Sequence, residues 1–268
     1  MTRAILTFLL FLMVQIIGSA VALLFGNLDR IGQGTPLIQL PVSPEASGIS
    51  LLLFEFMLCL GLGWYYSWTD RRTSPFPDGA APSRRPVSPP VRISAGSSAM
   101  AIVGTLCLSM ALSALLTPLH LDDQGAQLLF DGMKHNALCL LLLCFVGPLC
   151  EELVFRRGVL EGLMQSGWHP LWAVMVSSLV FALVHGNVMQ MIPAFVVGLV
   201  LGLCFLRTGN LRLCLPVHVA NNVLAVVLMF FPEIEARVGA FSATWCVIGG
   251  LVLLAVSVIL IWRSLRLP

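Results

Sequence analysis

Apolar runs of about twenty residues, broken by short polar or Pro/Gly-bearing stretches, recur along this chain, and each predicts a membrane-spanning helix. The first, residues 4–25, follows Arg3 and outruns the ~7–15 residues of a signal-peptide core, so it reads as a span and not a cleaved leader. Residues 26–49 form a loop with Asp29, Arg30 and Glu45, and residues 50–68 the second span, with Glu55 near its predicted end. In residues 69–96, Pro75, Pro77, Pro82, Pro86, Pro89 and Pro90 stand among five arginines, a composition that neither forms a helix nor needs to be ordered. A third span covers 97–117, and a loop over 118–135 carries Asp122, Asp123 and Asp131. Residues 136–165 read as one long helix with a kink at Gly147-Pro148, followed by a turn at Gly167 to Pro170. Further spans at about 171–187, 190–207, 211–231 and 239–262 complete an all-α, eight-span expectation.

Composition agrees with this. Of 268 residues, 58% are hydrophobic and 10% charged, with a mean hydropathy of +0.93, against a charged fraction of about 25% in soluble domains. The chain is read as a polytopic membrane protein in the lipid bilayer; a net charge of +2 says nothing about nucleic acid, and none is expected as a partner. The eight cysteines fall in or beside apolar runs without a Cys-x-x-Cys pair, as small buried hydrophobes do.

Charge matters by position. With the N-terminus inside, the inner loops hold Arg3, Arg71, Arg72, Arg84, Arg85, Arg92, Arg157, Arg207, Arg212, Arg263 and Arg266, and the outer ones only Arg30, Lys134 and Arg237. Both termini are therefore expected in the cytoplasm. The chain divides into residues 1–96, two spans plus the Pro/Arg-rich linker, and residues 97–268, a six-span core.

The core carries the chemistry. Cys150-Glu151-Glu152-Leu153-Val154-Phe155-Arg156-Arg157 sets four charges at the end of an apolar run, where intramembrane ionisable groups are costly and commonly functional. Glu152 and Arg156 are spaced i, i+4 and share a helix face, as do Phe181 with His185 and His218 with Asn222. Asn221 is nearly as well placed as Asn222. Glu151 lies 17 residues before the turn near residue 168 and His185 lies 17 after it, so an antiparallel hairpin holds them at one depth. His218 sits nine residues past the next turn, near 209, or ~14 Å along a helix. One polar site on three helices follows.

No His-Glu-x-x-His helix or Gly-x-Ser-x-Gly turn is present. A carboxylate can act as general base on water beside a histidine, while a second histidine and a carboxamide stabilise an oxyanion. That is amide hydrolysis. The same Glu151, His185 and His218 could instead bind Zn²⁺ with an open water position.

Glu151-Glu152-x-x-x-Arg156, Phe181-x-x-x-His185 and His218-x-x-x-Asn222, in this order, resemble the three motifs of the type II CAAX prenyl endopeptidase family, which also includes bacteriocin-processing and abortive-infection proteins. The resemblance covers about 136–231. It implies an eight-helix intramembrane endopeptidase of the bacterial inner (plasma) membrane, cutting near the cytoplasmic face. It further implies that Glu151 and His185 activate water, that His218 and Asn222 form the oxyanion hole, and that Glu152 and Arg156 support them. Metal-dependent and glutamate-based mechanisms both stay open. The rival classes are a proton- or ion-coupled transporter, against which no inverted repeat is apparent, and a non-catalytic scaffold or immunity protein of the same fold.

Overall fold

A computed structural model describes residues 1–72, 94–116, 119, 126–209, 211–231, 233–234, 248–249, 251–252 and 259. All regular structure among them is helical. Seven helices make the frame: α1 (Thr2–Phe25), α2 (Pro44–Arg72), α3 (Ala95–Leu116), α4 (Ala137–Gln165), α5 (Pro170–Leu183), α6 (Val188–Thr208) and α7 (Leu211–Phe230).

Six of these, all but α5, are long and apolar enough to cross a membrane, which makes the chain an integral membrane protein. Eight spans were expected, and six are found among the described residues. The span expected at 171–187 is the 14-residue α5, about 21 Å long and short of a ~30 Å hydrocarbon core. It ends early because Gly186, at φ 78°, breaks the helix and Asn187 caps the next one, accepting from the Gln190 N–H at 2.9 Å. The spans and loops expected over 239–262, most of the 69–96 linker, and Asp122 and Asp123 lie outside the described residues or nearly so.

The elements pack around α4. Helix α1 lies against α2 and against the C-terminal half of α4, α5 pairs with α6, and α7 packs on α3, α4 and α6. Close approach of α1 depends on two glycines one turn apart. A Cβ at Gly158 would run into Thr7 Cγ2, and one at Gly162 would meet the Ala4 backbone nitrogen at 2.9 Å. Small residues at such spacing let backbones touch, which is how helices associate where lipid removes the hydrophobic drive. Phe8 and Phe11 then reach the Phe155 ring, at 6.3 and 5.5 Å between centroids, and Phe155 meets Phe181 at 5.2 Å. An aromatic column thus runs from the first helix toward the polar residues of the core.

Glu55, near the expected end of the second span, lies in the interior. It is buried between helices, and Gln15 of α1 donates to its Oε1 at 2.6 Å.

Helix α4 is not uniformly α. Leu142–Val146 and Leu153–Leu160 are π-helical and flank the α-helical Gly147–Glu152. Pro148 gives one reason. The Gly147 N–H reaches back five residues to Leu142 O, and in that register the next donor falls on proline, which has none. The orphaned Leu143 carbonyl is satisfied from outside the helix, by Asn222.

Candidate active site

Glu151 stands at the midpoint of the 29-residue α4, between the two π-helical segments. Its neighbour Glu152 is fully buried, as is Arg156 one turn on. Arg156 Nη1 lies 3.3 Å from Glu152 Oε1, its Nη2 donates to Gly198 O at 3.3 Å, and its guanidinium stacks 4.8 Å over the Phe181 ring. The i, i+4 pairing expected from spacing is present, and Phe181 roofs it.

His218 joins the carboxylates. Its Nδ1 is 2.8 Å from Glu152 Oε1 and its Nε2 3.3 Å from Glu151 Oε2. Spacing within one helix could not disclose this contact, which closes across 66 residues. The result is a string, Arg156–Glu152–His218–Glu151, in which cationic or protonatable groups alternate with carboxylates. Each buried charge has an opposite neighbour, the condition under which such groups are tolerated in a dry interior.

His185 was expected inside a span. It lies instead just beyond the C-terminal residue of α5, where its Nδ1 bonds the Phe181 carbonyl at 2.9 Å. A carbonyl only accepts, so Nδ1 carries the proton and the Nε2 lone pair stays available. Its ring packs edge-on to Phe181, at 5.0 Å, and the His218 ring does the same at 5.7 Å. Irregular backbone at this position is acceptable where it lines a cavity, and here it does.

Asn222 donates to Leu143 O at 2.9 Å through one N–H of its amide, leaving the second. Asn221, beside it, accepts from the Ser109 hydroxyl of α3. Ser109 had no place in the reading of motifs; its only sequence signal was a hydroxyl in an apolar span.

Glu151, His185, His218, Asn221 and Asn222 all line one cavity of about 420 Å³, within the ~300–1,000 Å³ usual for ligand sites. From this cluster the cavity runs along α7 to Met229, along α6 to Gln190, along α3 to Ser113, and to Phe130. It therefore extends toward the end of the bundle opposite Arg157, Arg207 and Arg212. The resemblance implies cutting near the cytoplasmic face, the side on which the charge pattern leads one to expect these arginines.

A zinc site built from Glu151, His185 and His218 does not fit this arrangement. Among the described residues no group of three or more His, Cys, Asp or Glu side chains is placed to hold a metal ion. Both nitrogens of His218 face carboxylates, so it offers no free nitrogen, and His185 alone keeps an open Nε2.

The comparisons with known proteins agree with the motifs. Residues 134–224 match the family model described as type II CAAX prenyl endopeptidase Rce1-like. Among curated proteins, the chain is 22% identical over 132 residues to one of Bacillus subtilis named "Putative membrane peptidase YdiL", a stretch covering 49% of this chain and 54% of that one. It is 33% identical over 99 residues to an uncharacterized protein of Mycoplasma capricolum, covering 35% of this chain and 28% of the other. The matched stretches thus span about half, and little more than a quarter, of these relatives' own lengths. No solved structure matches. The segment that supplies Glu151, His185, His218 and Asn222 is accordingly similar to the Rce1-like type II CAAX prenyl endopeptidases, the family that the three motifs resemble.

Proposed function

We propose that the chain is an intramembrane endopeptidase that hydrolyses peptide bonds with water activated by Glu151 and His185. The observation that carries this reading is the gathering of Glu151, His185, His218 and Asn222 on one cavity wall. The similarity to a membrane protease family supports the reaction class.

In the proposed reaction Glu151, the more exposed of the two carboxylates, removes a proton from water while His185 Nε2 accepts a hydrogen bond from it. Hydroxide adds to the carbonyl carbon. The oxyanion is met by the Nε2–H of His218, which already faces Glu151, and by the second amide N–H of Asn222. Collapse of the tetrahedral intermediate breaks the C–N bond, and the leaving amine takes the proton from Glu151. Glu152 and Arg156 hold His218 and never exchange with substrate.

Purified protein in detergent, given a peptide it cleaves, tests this. Glu151→Gln keeps shape and removes the base, so turnover is lost while the protein stays folded. Asn222→Ala lowers the rate by about 10²–10³, as for other oxyanion donors. Turnover of Glu151→Gln at the parent rate would refute the assignment. Reversible loss of activity on chelation, with one zinc bound per chain, would make these residues ligands.

A further inference from the structure

The two ends of the helical bundle differ in positive charge. At one end lie the start of α1 with Arg3, the end of α2 with Arg71 and Arg72, Arg157 in α4, the end of α6 with Arg207 and the start of α7 with Arg212. The start of α3 lies at this end too. The opposite end has Arg30 and Lys134 among the described residues. Loops rich in Lys and Arg stay in the cytoplasm, and acidic neighbours such as Glu161, which pairs with Arg3 and Arg157, change this little.

The cavity has a matching polarity. On the arginine side of the site the next side chains of α4 and α7 are fully buried: Glu152, Arg156, Phe155, Leu213 and Val217. No residue after Glu151 on α4 and none before His218 on α7 lines it. Its wall runs from the site to Phe130, Gln190 and Met229, at the other end. Among the described residues, apart from the catalytic cluster and Ser109, Ser113 and Gln190, the wall is apolar, formed by residues such as Met110, Leu143, Pro193 and Leu228.

From these two polarities we infer that the site takes water and substrate from the non-cytoplasmic side of the membrane, and that its substrate is an extended, apolar polypeptide segment presented at that face. Sidedness follows from charge and cavity alone; the nature of the substrate rests on the endopeptidase reading. A chain already translocated across the membrane, or anchored in its outer leaflet, has this chemistry. A cytoplasmic tail would meet the buried side chains of Glu152, Arg156 and Phe155.

Added cysteines test the sidedness without turnover. Gln190→Cys places a thiol at the mouth; the Gln190 side chain takes no part in the Asn187 cap, which uses its backbone N–H. His169→Cys marks the exposed turn at the arginine end, where no side-chain cap bond is lost. The seven described native cysteines are buried or half-buried, and the parent protein sets the background. With the chain expressed in a bacterium, a membrane-impermeant maleimide should label Gln190→Cys in spheroplasts and not in inverted vesicles, and His169→Cys the reverse. Labelling of Gln190→Cys from the vesicle side, or from neither side, overturns the inference. The same preparations, given an apolar peptide from outside, separate the two readings. Cleavage by spheroplasts and not by inverted vesicles supports both. The expected labelling without cleavage in either upholds the access side and overturns the substrate.

Discussion

Replacing Arg156 by Met tests whether the buried string is one electrostatic unit. The guanidinium is 1% exposed and 3.3 Å from Glu152, where a unit charge pair is worth about 5 kcal/mol at an effective dielectric of 20. Its place over Phe181 adds up to about 2 kcal/mol when desolvated. Against this stands the cost of keeping the cation out of water, which methionine removes. The net expected loss is the ~3–5 kcal/mol typical when one partner of a buried pair is deleted and the other stays charged. Glu152→Gln in the same background removes the stranded carboxylate and keeps an oxygen for His218 Nδ1, so the double variant should be more stable than Arg156→Met alone. Coupling of contacting groups generally falls between about 0.5 and 3 kcal/mol. Unfolding in detergent, followed as the folded fraction surviving heating on size exclusion, measures all four members of the cycle. Parent-like stability of Arg156→Met, or a double variant no better than that single one, would show that Arg156 and Glu152 do not depend on each other.

Two further outcomes follow from contacts outside the string. Gly158→Ala drives a Cβ into Thr7 Cγ2 and should destabilise the folded state by about 1–3 kcal/mol, read as a lower melting temperature; an unchanged one would mean that α1 does not sit tightly on α4. Ser109→Ala frees the Asn221 carboxamide on the cavity wall, so KM should rise with kcat nearly unchanged, since Asn222 keeps its own anchor on Leu143; a fall in kcat alone would make Asn221 an oxyanion donor instead.

Local spacing made part of this legible. Glu152 with Arg156 is a contact inside one helix, and period alone finds it. His185 was placed in a span because its surroundings are apolar, yet His185-Gly186-Asn187 contains both a C-terminal glycine and an N-cap, the ordinary punctuation between two helices. Equal distance from the turn at Gly167 still placed Glu151 and His185 on one cavity, because depth survives the loss of a turn of helix. The contacts of His218 with both glutamates, and of Asn222 with Leu143 O, join helices far apart in sequence. No periodicity reports which carbonyl a proline leaves unpaired. The direction of the cavity was hidden for a similar reason: it depends on which of two ends large side chains fill, which spacing along one helix does not report.

The π-helical segments of α4 change what a one-residue change would do there. Along an α-helix each residue turns the chain by about 100°, so whatever follows an insertion faces a new direction. Leu142–Val146 and Leu153–Leu160 act as two such offsets built into one rod. They let Leu143 address α7, Glu151 the cavity, and Gly158 the first helix, directions that a straight wheel drawn through 136–165 would assign wrongly. A single deletion within Leu142–Val146, which leaves every polar residue intact, can be taken up there by closing the π turn to an α turn, so both carboxylates keep their face toward His218. The facing of the candidate site residues is therefore buffered by spare length in an apolar stretch.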